Sequence, residues 1–270
     1  MKSIKLQHLL FCSLFGTIAQ ISFGQGVAEK KLQGGLTGSV GFNYLKMGTD
    51  LLEGNPGMST SIGVNFIKST KESQNISLTA GLEFDFDRIN YRVTDKDVFY
   101  YFIDKEIISK DNYVSSAEIF NLTERTYQPL YLALPLGFLF RTDFIGDFRG
   151  MFSFNVRNRV LLRNTINDQG FVVPSVGSVN GSTKENIGMI SSKDLLFYNA
   201  NLGISAGVEW NFSGSTCLLV ELGYHYGFTP LHLKNKEKNY SLFTNEPNGN
   251  TFFANQANMN QANLKFTLLF

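Results

Sequence analysis

From Ile76 the chain alternates without interruption. Ile76, Leu78, Ala80, Leu82, Phe84 and Phe86 are apolar, while Ser77, Thr79, Gly81, Glu83 and Asp85 between them are polar or small. Successive side chains of a strand point to opposite faces, so this pattern yields one wholly apolar face. A helix would place Thr79 and Glu83 beside Ile76, which rules it out. The stretch after Leu196 repeats the pattern: Leu196, Tyr198, Ala200, Leu202, Ile204, Ala206, Val208 and Trp210 share a face.

Six further segments fit the same template, at about 35–46, 58–67, 127–140, 148–161, 216–228 and 260–270. The total is eight strands, each near the roughly 9–11 residues that a tilted strand needs to cross a bilayer. The connections are 47–57, 68–75, 94–124, 141–147, 163–193, 212–215 and 229–259. After the first, short turns alternate with long loops, the rhythm of barrels with short periplasmic turns and long extracellular loops. The expected fold is an eight-stranded antiparallel transmembrane β-barrel in one domain, 25–270, with ten strands as the alternative count.

Alternation alone also suits a soluble barrel with its apolar face inward. The polar face separates the two. A water-facing surface is normally rich in Lys, Glu and Arg, yet here it reads Thr37, Ser39, Gly41, Asn43 and Ser59, Ser61, Gly63, Asn65. Such small side chains suit a crowded lumen. Composition agrees: only 17% of residues are charged against 43% hydrophobic and 14% aromatic. The net charge of +1 gives no field for nucleic acid.

The luminal face carries few charges, of both signs. Glu83, Asp85, Glu209 and Glu221 are positioned to meet Arg157, Arg159 and Lys265 across the lumen, with Asp85 and Arg159 the best placed to reach water at a rim. Unpaired charges in so narrow a space cost several kcal/mol, so pairing is expected. Aromatic residues gather at the strand ends of the apolar face. Phe66, Phe140, Phe148, Trp210, Phe212 and Phe270 belong to one girdle, and Tyr44, Phe86, Tyr198, Tyr226 and Phe228 to the other. Pro135 cannot donate to a ladder and predicts a bulge or a local break in pairing.

Lys2 and Lys5 precede the apolar run Leu9 to Ala19 and the small residues up to Gly24. This is the pattern of a secretory signal peptide, 1–24, with cleavage after Gly24 or Ala19. Its removal takes Cys12 and His8, leaving Cys217, His225 and His232. One cysteine forms no intrachain disulfide and no zinc or iron–sulfur cluster.

Three stretches resemble the PorT-like "porin family" of outer-membrane β-barrel proteins: Tyr131-Leu132-Ala133-Leu134-Pro135-Leu136-Gly137-Phe138, Val220-Glu221-Leu222-Gly223-Tyr224-His225-Tyr226-Gly227, and Asn263-Leu264-Lys265-Phe266-Thr267-Leu268-Leu269-Phe270. Ala133 stands where the family often has an acidic residue. The resemblance implies a barrel in a bacterial outer membrane, inserted by machinery that reads the terminal Phe270, and a supporting role for a secretion apparatus. It does not imply a pore, because eight strands leave no aqueous channel.

The expected function is therefore structural or binding: envelope integrity, adhesion or support of secretion. The alternatives are an enzyme at the rim acting on lipid or peptide, or a small diffusion channel. The luminal network to examine is Glu83, Arg157, Glu209, Glu221, His225 and Lys265. No catalytic residue, cofactor or metal ligand is assigned. His225 reads as a satisfied luminal histidine, and His232 lies in the last loop beside Lys234 and Lys236 without a nucleophile motif.

The expected partners are outer-membrane lipid, the insertion machinery and a protein at loop 94–124. That loop holds three lysines against seven acidic residues and the apolar run Val98-Phe99-Tyr100-Tyr101-Phe102-Ile103. It is expected as a solvated loop whose apolar run extends the barrel or folds over its rim. Asn245 to Asn263 reads as loop without a packed core.

Overall fold

The computed structural model describes residues 32–70, 75–176, 182–191, 194–213, 216–233 and 237–270. The leader 1–24, with Cys12 and His8, and the pair Lys234 and Lys236 lie outside the described residues. Eight strands close into a barrel: β1 (Leu32–Met47), β2 (Gly57–Ser69), β3 (Ile76–Asp87), β4 (Leu130–Arg141), β5 (Phe148–Arg163), β6 (Tyr198–Ser213), β7 (Thr216–Gly227) and β8 (Ala257–Leu269). Chain neighbours pair antiparallel throughout. β1 and β8 then close the ring in register from Gly35↔Leu269 to Met47↔Ala257, so no edge is left to pair with another chain.

The alternation read from the sequence sets the two faces. Leu82, Phe84, Leu136 and Leu222 point outward and are 42%, 43%, 51% and 69% exposed, while Glu83 and Asp85 between them are wholly buried in the lumen. Phe66, Phe140, Phe148 and Trp210 of one girdle and Tyr44, Phe86, Tyr198, Tyr226 and Phe228 of the other are exposed on the outer face near the strand ends, while Phe270 is half-buried. No helix among the described residues is long and apolar enough to cross a membrane.

Pro135 interrupts the ladder without shifting it. Pairing of β3 with β4 runs from Ile76↔Phe140 to Ala80↔Leu136 and resumes in the same register at Glu83↔Ala133. Proline supplies no N–H there, and Gly81 opposite makes room for its ring: a Cβ on Gly81 would lie 2.9 Å from Pro135 Cγ. The break occurs; the bulge does not.

The long loops differ from expectation. Their residues form a second sheet of nine strands, ordered Ser182–Met189, Ile166–Val173, Glu118–Tyr127, Val98–Ile103, Leu242–Glu246 and Gly249–Phe253, with Leu52–Asn55, Ile89–Val93 and Glu106–Ile108 paired alongside. Several continue barrel strands upward. β3 resumes at Ile89, and the strand Glu118–Tyr127 leads into β4 across Gln128 and Pro129. The strand expected at 127–140 accordingly begins at Leu130, and Tyr127 ends the strand before it.

The run Val98–Ile103 is apolar at every position because both its faces are covered. Val98, Tyr100 and Phe102 join a core with Tyr91, Phe120, Tyr127, Leu242 and Met259. Phe99 and Tyr101 face the other way, against Phe243 and Val173. Loop 94–124 is therefore no solvated loop, while its apolar run is built into the sheet that extends beyond the barrel, as expected of it. Nor is Asn245–Asn263 unstructured: it completes a hairpin with Leu242–Glu246 and contributes the first half of β8.

Candidate functional site

The small side chains of β4 shape the lumen. Tyr131, Ala133, Pro135 and Gly137 are its inward positions, and the middle two are short enough for arginines of β5 to pass over them to β3. Arg157 Nη2 lies 2.6 Å from Glu83 Oε2, and its Nε 3.0 Å from Asp85 Oδ2. Lys265 of β8 reaches Glu83 from the other side at 2.9 Å. Arg159 sits 3.2 Å from Asp85 and pairs with Asp87, its guanidinium 4.1 Å over the Tyr131 ring. Asp85 and Arg159, expected near water, are instead fully buried.

The six expected network residues fall into separate groups. Glu83, Arg157 and Lys265 form one cluster. Glu209 belongs to another, with Arg149 at 2.6 Å and Arg141 at 3.0 Å, near the short turns. Glu221 accepts from Ser205 Oγ at 2.7 Å, and His225 Nε2 lies 3.5 Å from Asn263 Nδ2. Together with Arg157 and Lys265 they line a residual cavity of about 40 Å³, room for a water or two. Arg141, Arg149 and Asp87 were missed by the sequence reading. Each continues the luminal parity of its strand, so extending the alternation to the strand ends would have found them.

Above the barrel, a polar cleft of about 150 Å³ opens between the second sheet and the last loops. Asp194 and His232 form its floor. His232 Nδ1 is 2.7 Å from Asp194 Oδ1, and Nε2 is 2.7 Å from the Tyr91 hydroxyl. Tyr127 donates to Asp194 Oδ2 at 2.6 Å. Tyr127 therefore accepts from Arg125 Nη1 and from Asn255 Nδ2, both at 3.4 Å. Arg125 is held in turn by a bidentate pair with Asp168, at 2.8 and 2.7 Å.

The electrostatics follow from this packing. Burial opposes charge on Asp194, but His232 and the Tyr127 hydroxyl outweigh it and hold the carboxyl below the usual range. Burial, reinforced by neighbouring Asp194, drives the Tyr127 and Tyr91 phenols well above their ordinary value. Nδ1 of His232 faces Asp194 and Nε2 faces the Tyr91 hydroxyl. Both ring nitrogens are thus engaged, an arrangement that orients polar groups beneath a cleft. Sequence reasoning reached His232 alone, because Asp194, Tyr91 and Tyr127 come from distant segments with no local spacing.

No protein-family profile matches the sequence, and comparison with curated proteins returns no match. Among solved structures, the chain is similar to Neisserial surface protein A (9% identity, 87% of this chain and 95% of that one, TM-score 0.35). It is also similar to the attachment invasion locus protein Ail of Yersinia pestis (8%, 89% and 100%, 0.34) and to the outer membrane protease OmpT of Escherichia coli (10%, 88% and 93%, 0.36). At these values the likeness is one of general barrel form. The resemblance to the PorT-like family accordingly rests on the three sequence stretches alone, and the fold, a closed eight-stranded antiparallel barrel bearing a second β-sheet, rests on the strand pairing of this chain.

Proposed function

We propose that this chain is an integral protein of a bacterial outer membrane, a barrel of structural or binding type whose lumen is filled and whose working surface is the sheet above the membrane. One observation carries this reading. The outward face of the barrel strands is mostly large apolar side chains, while the inward face holds buried ion pairs. A soluble barrel of this size places its apolar side chains inside. The leader-like start and the terminal Phe270 support export and recognition by the insertion machinery. Envelope integrity, adhesion or support of a secretion apparatus are the roles that fit.

Heat-modifiable mobility tests the reading. Unboiled protein from the outer-membrane fraction should run faster on a detergent gel than boiled protein, and planar bilayers should show no stepwise conductance. A soluble periplasmic protein, or a regular conductance step, would overturn it.

The Asp194–His232 pair beneath a cleft favours a second reading, an enzyme at the rim. Against it, His232 Nε2 is occupied by Tyr91, which is itself buried. Loss of a lipid or peptide turnover in His232→Ala, with the fold intact, would favour the enzyme; unchanged chemistry with weakened ligand binding would favour the binder. Loop 94–124 remains the proposed protein contact through its exposed charges, since its apolar run is buried.

A further inference from the structure

The outer surface of the barrel is uneven. Along β3 the outward row reads Ile76, Leu78, Ala80, Leu82, Phe84, so a single small residue interrupts a row of large ones. Ala80 pairs with Phe66 of β2 on one side and Leu136 of β4 on the other. It lies immediately below the point where Pro135 breaks the β3–β4 ladder. The result is a notch of about 560 Å³ walled by Phe66, Leu78, Leu136, Phe138 and Phe154. Its lining is almost wholly apolar, a space for hydrocarbon rather than for water or an ion.

The notch ends at a charge. Lys68 lines it and pairs with Leu32 of β1 and Leu78 of β3, one step from the turn that joins β2 to β3. On the outward positions of the short-turn half of the barrel, Lys68 is the one charged side chain among the described residues. A lysine at the end of an apolar strand face lays its stem along that face and holds its ammonium at headgroup level.

We propose that this notch is a binding site for a glycerophospholipid of the leaflet on the short-turn side, with an acyl chain lodged over Ala80 and the phosphate held by Lys68. Apolar walls match the chain, and the lone cation matches the phosphate at the depth where headgroups lie. The inference rests on the reading of the chain as a membrane-spanning barrel.

Native mass spectrometry of the full folded chain in detergent tests it, using phosphatidylglycerol and diacylglycerol of matching acyl chains as probes. The wild type should retain one phosphatidylglycerol and little diacylglycerol. Lys68→Gln should lower phosphatidylglycerol retention about tenfold, the loss of one charge-assisted contact. Ala80→Phe should abolish retention by filling the notch, whereas Ala206→Phe, outward on β6, should leave it unchanged. Equal retention in wild type and Ala80→Phe, equal retention of both lipids, or occupation of the face by a second copy of the chain would overturn the proposal. The heat-shift assay run on the same samples keeps the two readings apart. A barrel that shifts on boiling but binds no lipid at the notch refutes only this inference, while one that does not shift refutes the membrane reading beneath it.

Discussion

Arg157 on β5 reaches over β4 to Glu83 on β3, its Nη2 2.6 Å from Glu83 Oε2 with both side chains shut off from solvent. Lys265 and Ser61 complete the shell around the same carboxylate. Glu83→Ala would leave a buried arginine short of its counter-charge and should destabilise the barrel by about 3–5 kcal/mol. Glu118→Ala, on the exposed outer sheet, should change stability by less than about 0.5 kcal/mol. Urea unfolding in lipid vesicles compares the two, and equal effects would refute luminal pairing.

Ala133 lies between Glu83 and Arg159 in the strand register and is fully buried. Its methyl group leaves the passage that the arginines cross. Ala133→Leu should therefore cost about 1–3 kcal/mol through overpacking, and more if the ion pairs separate. Ala206→Leu, outward on β6, serves as the control and should be close to neutral.

Leu82 stands mid-strand on the outer face and is 42% exposed. Placed against lipid at mid-depth, Leu82→Arg should lower stability by about 2–4 kcal/mol. A variant that refolds into vesicles with unchanged stability would argue that this face does not meet hydrocarbon.

Asp168 and Arg125 form a buried bidentate pair inside the second sheet, away from the barrel wall. Asp168→Ala should destabilise that sheet by about 3–5 kcal/mol and expose it to protease. The barrel should survive, still shifting on boiling. Simultaneous loss of both would mean that the two sheets fold as one cooperative unit.

The Asp194 carboxyl is held below its usual range in the folded protein, because His232 and Tyr127 together outweigh the effect of burial. A depressed folded value contributes stability that is present above the unfolded carboxylate value and is lost as pH falls through the folded one. The second sheet should thus loosen in acid, below the ordinary carboxylate range. In Asp194→Asn this acid-dependent component should disappear. Protease susceptibility against pH reads both, and identical profiles would exclude Asp194 as its source.

How much of this was legible in the chain depends on what each residue answers to. The barrel strands were readable because a strand with a polar inward face and an apolar outward face must alternate, and Ile76 to Phe86 does so without exception. The second sheet was not readable. Val98 to Phe102 is apolar on both faces, so the run has no period, and nothing local distinguishes a covered strand from an apolar loop. One neighbour, Phe120, stands twenty residues on within the same loop, whereas Leu242 lies far along the chain and meets the run only after the barrel has brought the loop bases together.

The same division holds for the charges. That Glu83, Arg157 and Lys265 face inward follows from parity, a property of each strand taken singly. Which of them touch, and that Glu209 instead joins Arg141 and Arg149, depends on the tilt and closure of all eight strands. The Asp194–His232–Tyr91 cluster lies wholly on the tertiary side, since its members come from three connections. By itself the sequence determined the period, the two faces and the order of the barrel strands, because these follow from the alternating backbone. Only the folded structure decided the ion pairs, the second sheet and the cleft, because those contacts join residues that no local rule relates.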